Sequence, residues 1–254
     1  MLDKVSSWLR PQQLVDDQSA IWIVDCFQYA LEHFDREEFF NRCQLIQPTN
    51  TFFPGNVSSV QEKAQNIFQH CIRYAGLSHW PFKLSHTGMS MSSAVLTPDT
   101  LTIERDSKKE LNQIEVKNDH FTIGYNSQQT LKPEDLAASF AQLFAQYMIF
   151  HAAQLPPRGQ THLMEASEVI SVFMGFGVVL ANSAYTFRGG CGSCFNPSAN
   201  RQASLTENEV LFALAVFCCY KDISNKEATQ HLKKHLRRSF IAARKQAQQL
   251  LSDG

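Results

Sequence analysis

Apolar positions in the first part of the chain recur three or four residues apart. Ile21, Val24, Phe27, Ala30, Leu31 and Phe34 follow this spacing from Ser19, which predicts a helix with a polar interruption at Asp35–Glu38 and a second helical piece to about Cys43. The stretch 44–55 contains Pro48, Pro54 and Gly55 and reads as an extended connection, with Phe52 and Phe53 tucked onto the core. Ser58 or Ser59 then caps a helix over 60–75, whose apolar face is Ala64, Ile67, Phe68, Cys71 and Tyr74. After it the period changes. Short strand-like runs fall at 80–84, 100–104, 113–116 and 120–125, with a tight turn at Asn118-Asp119 between the last two. A small-residue segment over 85–94 separates the first two.

The remainder is helical. Pro133 opens a long apolar helix to His151, with Glu134 and Asp135 in the first turn, where the helix dipole favours acids. It stops before Pro156-Pro157-Arg158-Gly159. A second apolar helix runs from about Met164 to Phe187 and ends at Arg188-Gly189-Gly190. Thr206 and Glu209 form a capping box for a helix to about Tyr220, and Ser224 and Glu227 another for a final helix to Leu251. These elements predict an α+β fold in which N-terminal helices and a small antiparallel sheet pack on a C-terminal helical lobe. The expected divisions are an N-terminal helical segment and linker over 1–57, a helix and small sheet over 58–131, and the helical lobe over 132–254.

Composition narrows the class. With 254 residues, 44% hydrophobic, the chain can bury a large core, and 19 Phe make that core aromatic. A net charge of −1 provides no global attraction to nucleic acid or to an anionic membrane. Seven cysteines, an odd number, with no secretory leader before them, read as reduced thiols and point to a cytoplasmic protein. The runs 136–155 and 169–187 approach membrane-spanning length, but Gln142, Gln146, Gln154, Ser171, Asn182 and Ser183 interrupt them and no Lys/Arg cluster flanks them, so two buried helices are expected.

The pair of long helices carries the most specific pattern. Leu136-Ala-Ala-Ser-Phe-Ala-Gln142-Leu143-Phe144-Ala145-Gln146-Tyr-Met follows a strand and precedes a second helix beginning Met164-Glu165-Ala-Ser-Glu168. The arrangement resembles a family of mostly uncharacterised bacterial proteins with a zincin core, related to gluzincin metallopeptidases. Leu45-Ile-Gln-Pro-Thr-Asn-Thr-Phe-Phe-Pro54, Val172-Phe-Met-Gly-Phe-Gly177 and Ala181-Asn-Ser-Ala184 share the likeness. In zincins a His-Glu-x-x-His helix supplies two metal ligands and a general base. The resemblance places Gln142 and Gln146 at the two His positions and Leu143 at the base. It places Met164 or Glu165 at the third ligand and Glu168 at a supporting acid.

Amides are poor zinc ligands and leucine takes up no proton. The resemblance therefore implies a pseudo-peptidase without metal or cofactor, a binding or regulatory module that holds a peptide or protein in a groove between the sheet and the Gln142/Gln146 helix. Strand 121–125 would support it by strand addition. Also open from residue types alone is a pair of polar positions on an amphipathic helix that was never a metal site.

The alternative is a hydrolase with relocated ligands drawn from His151, His162, Glu165 and Glu168, or one using Cys191 and Cys194. Those two cysteines form a Cys-x-x-Cys on a Gly-rich loop that could hold a metal or act as a redox pair. His231 and His235, four apart among Lys233, Lys234, Arg237 and Arg238, read as a solvated basic face.

Overall fold

The structure, a computed structural model, describes residues 13–86, 121–152, 154–184 and 199–252. Strand-like runs 100–104 and 113–116, the turn at Asn118-Asp119, and Cys191 and Cys194 lie outside the described residues.

Capping side chains set where the first helices begin. Helix α1 (Asp17–His33) starts where the Asp16 carboxylate accepts from Ser19 N, and α2 (Arg36–Asn41) where Asp35 accepts from Glu38 N. The polar interruption at Asp35 is thus a new N-cap. Ser59 caps α3 (Val60–Tyr74) by accepting from Glu62 N. Phe52 and Phe53 pack near Tyr74, whose hydroxyl donates to Phe52 O at 2.5 Å.

Strands β1 (Phe82–His86) and β2 (Phe121–Tyr125) pair in register, Phe82 opposite Phe121 through His86 opposite Tyr125. They run parallel. The expected antiparallel arrangement is therefore corrected for this pair. Residues 87–120 lie between the two strands, and parallel neighbours need a connection of about a dozen residues or more. Local alternation marks a strand but not its direction.

Helix α4 (Pro133–His151) begins with Pro at its first position, as its missing N–H and fixed φ allow. The sheet covers one side of it, with ring centroids of Phe82 and Phe144 5.0 Å apart and of Phe121 and Tyr147 5.1 Å apart. Phe68 of α3 packs beside Phe140 at 5.3 Å.

The second apolar helix is not continuous. It comprises α5 (Leu163–Ser171), a wide π-type turn over Val172–Phe176 and α6 (Gly177–Ser183), broken at Gly175, whose φ is 95°. Segment 44–47 causes the break. Ile46 N donates to Gly175 O at 3.0 Å, and a Cβ on Gly175 would sit 2.2 Å from Gln44 O. Only glycine tolerates both that φ and that approach. At Gly177 a Cβ would meet Leu214 Cδ1 at 2.7 Å, so α6 lies close against α7 (Glu207–Tyr220).

Helix α7 opens with the expected capping box of Thr206 and Glu209. The final helix, however, is two: α8 (Asn225–Thr229), capped by Ser224, and α9 (Leu236–Ser252). His231 falls in the break, and His235 lies 3.5 Å from Glu207. The two histidines do not share one helix face.

Residues from all three expected divisions enter one apolar core that includes Phe27, Phe39, Phe68, Phe140, Phe176, Phe212 and Phe240. Among the described residues one segment, Gln160–Ser183, is long and apolar enough to cross a membrane, and 89% of its most hydropathic window is buried inside the protein. Core packing accounts for its composition.

Candidate functional site

Asp135, Gln142 and Gln146 stand seven and then four residues apart on α4, which places them on one stripe of the helix. All three are buried, with Gln142 at 6% and Gln146 at 2% exposure. The stripe faces away from the sheet: Phe144, which meets β1, is about 200° round the helix from Gln142. Leu143 is half-buried between the two sides. The two glutamines therefore point into the protein, and solvated positions of an amphipathic helix do not describe them. Gln142 Nε2 and Gln146 Oε1 find no hydrogen-bond partner among the described residues.

At its N-terminal end the stripe meets the chain at 200–201. Asp135 Oδ1 accepts from Arg201 N at 3.0 Å and from Asn200 Nδ2 at 3.3 Å. Burial raises the Asp135 carboxyl above its usual range, against the lowering effects of the Arg201 amide and of Lys132, Arg201 and Lys233.

Arg201 then crosses to the second helix. Its Nη1 donates to Glu168 Oε1 at 2.6 Å and its Nε to Ser183 Oγ at 3.2 Å. Both side chains of the ion pair are shut off from solvent, at 1% and 0% exposure. Glu168 also accepts from Ser204 N at 2.5 Å and Leu205 N at 3.2 Å, so both of its oxygens are engaged by three donors. The same guanidinium reports the bend at Gly175. An unbroken helix would rise roughly 22 Å from Glu168 to Ser183, too far for one planar group to bond both.

The donor set does not fit zinc. Gln142 and Gln146 offer only neutral amides, and Leu143 beside them offers no donor atom. Glu168 is committed to a cation and two amide groups. Met164 and Glu165 are half-buried at the start of α5.

The relocated ligands do not converge either. His151, at the exposed end of α4, packs edge-on against Trp80 at 5.1 Å. His162 lies against Trp22 at 6.3 Å and beside Thr161. Among the described residues no group of three or more His, Cys, Asp or Glu side chains is placed to hold a metal ion.

Burial raises every thiol that can be placed, the half-buried Cys219 included. Burial pushes Cys43 and Cys218 up to about 12, and raises Cys26 and Cys71 as well.

Concavity lies elsewhere. An open groove of about 460 Å³ forms where α1, α3 and α4 end, with α2 along one side. Its apolar floor includes Phe39, Trp80, Phe173 and Met174, and its polar groups include His33, Asp35, Glu38, Arg42, His79 and His151. Phe39 and Phe173 stack with centroids 4.2 Å apart, which fixes the floor. Gln142 and Gln146 do not line it. The groove is thus at the C-terminal end of α4 and not between the sheet and the glutamines.

Sequence patterns give no direct sign of this groove, because its lining comes from four separate segments. Arg201 did leave an indirect signal. Glu168 is an acid inside an otherwise apolar helical run, and a buried carboxylate requires a counter-charge or donors. No family model, curated protein or solved structure matches this chain.

Proposed function

We propose that this chain is a non-catalytic, cytoplasmic pseudo-peptidase of zincin-like architecture that binds a peptide or protein segment. One observation carries the reading: Arg201 occupies Glu168. A metallopeptidase needs its acids free to coordinate or to orient a ligand, whereas here a guanidinium supplies the positive charge as a fixed cross-brace. The buried amides of Gln142 and Gln146 and the aliphatic Leu143 support it, since none of them activates water. The groove at the ends of α1, α3 and α4 is the binding surface, being of a size that holds small ligands or a few side chains.

The test is elemental analysis of the purified full chain together with a peptide digest. No stoichiometric zinc and intact peptides are expected. Zinc at one equivalent that is lost in Glu165→Ala, with peptide cleavage, would overturn the reading in favour of a hydrolase.

A further inference from the structure

Three helices finish at the groove. His33 and Phe34 close α1, Tyr74 to Leu77 follow the last turn of α3, and Met148, His151 and Ala152 end α4, all of them lining it. Helix C-termini carry partial negative charge, although the last carbonyls of α3 are already taken, Cys71 O, Ile72 O and Arg73 O accepting from Ala75, Leu77 and Gly76 N–H. Two carboxylates, Asp35 and Glu38, stand on the same wall. Among the described lining residues, Arg42 stands beside His33, His79 and His151 as the permanently charged cation, 80% exposed and 3.4 Å from Glu38 in an i,i+4 pair. Exposed pairs of this kind are held weakly, so an incoming cation can displace Arg42 from Glu38.

Beneath that negative rim the floor is apolar, with Trp80 packed edge-on to His151 and stacked on Phe82 at 5.7 Å. A ligand that satisfies both levels carries a positive charge beside a large apolar group.

We infer that the groove takes a basic peptide segment in which a lysine or arginine neighbours an aromatic or large aliphatic residue. The apolar side chain enters over Phe39, Phe173 and Trp80. The cationic head meets Asp35, Glu38 and the three helix C-termini. This names the partner class for the binding module proposed above and rests on that reading. An acidic segment is disfavoured, because the same carbonyl ends and carboxylates repel it.

The experiment uses the full chain and two fluorescein-labelled peptides of alternating residues, one of lysine and phenylalanine and one of glutamate and phenylalanine, followed by fluorescence anisotropy. The lysine peptide binds and the glutamate peptide does not. The double variant Asp35→Asn/Glu38→Gln weakens binding about five- to tenfold, the order expected for two partly exposed charge contacts. Arg42→Gln tightens it, a gain that misfolding cannot imitate. Equal or tighter binding of the glutamate peptide overturns the inference, as does lysine-peptide binding that neither variant alters. Failure of both peptides to bind also overturns it, while leaving the pseudo-peptidase reading to its metal and digestion test. Cleavage of the lysine peptide overturns the pseudo-peptidase reading instead.

Discussion

Arg201 and Glu168 face one another at 2.6 Å with neither side chain reaching solvent. The pair joins the loop before α7 to the middle of α5, and through Ser183 to the end of α6. Removing one partner leaves a buried charge without its mate. Glu168→Ala or Arg201→Met is expected to lose about 3–5 kcal/mol of stability in urea unfolding. The double variant Glu168→Met/Arg201→Met should lose less than either single change. A double variant as unstable as the sum of the two would mean that the residues do not act as a pair.

Gly175 and Gly177 offer a comparison within one segment. Gly175→Ala forces a Cβ to 2.2 Å from a backbone oxygen at positive φ, and a cost of about 2–4 kcal/mol is expected. At Gly177 the obstacle is the far end of the Leu214 side chain at 2.7 Å, which can rotate. Gly177→Ala should therefore cost about half as much or less. Thermal unfolding of both variants checks the order.

Asp135 makes stability depend on pH with a definite sign. Burial raises its carboxyl in the folded chain, so the folded state holds the proton more tightly than the unfolded state does. Its contribution is complete below the unfolded value and fades as pH rises through the folded one. Relative to Asp135→Asn, the native protein should lose stability as pH rises above the ordinary carboxylate range. Urea midpoints across that rise read it out, and a difference that stays flat or changes in the opposite direction contradicts the assignment.

Thiol chemistry can be mapped residue by residue. Cys43 lines the groove and is only half-buried, yet burial pushes its thiol up to about 12. Cys26, Cys71 and Cys218 are buried outright. Iodoacetamide at about pH 8 should leave all four unmodified in the folded chain and label them after denaturation. Rapid labelling of Cys43 detected by peptide mass mapping would show that its surroundings are more open than described.

Much of the helical layout could be read from local pattern, since Ser59 and Thr206 cap as their residue types predict and Ala64, Ile67, Phe68 and Cys71 form the buried face of α3. In α1 only Phe27, Ala30 and Leu31 of the expected face are buried, Ile21 is exposed, and Trp22, Ile23 and Cys26 turn inward instead. Three features could not. Strand direction depends on what connects Phe82–His86 to Phe121–Tyr125, and alternation contains no such information. The break at Gly175 depends on Gln44, more than a hundred residues earlier, pressing its carbonyl into the helix. The groove depends on three helix ends meeting in space. Of the candidate site, residue types left open whether Gln142 and Gln146 face solvent or the interior, and the identity of the group facing Glu168 could not be read. Arg201 lies in a polar stretch with no periodicity to mark it.

Position 175 also controls the shape of the groove from behind. Phe173 and Met174, which line it, immediately precede the glycine, and Cys43 is held by donating its Sγ–H to Phe173 O at 3.4 Å. Pressing a methyl group between Gln44 and the helix would push strap and turn apart and carry both walls with them. The shape of the groove is therefore set by a buried hydrogen atom that does not line it, and variation at this spot would reshape the groove without changing any residue of its lining.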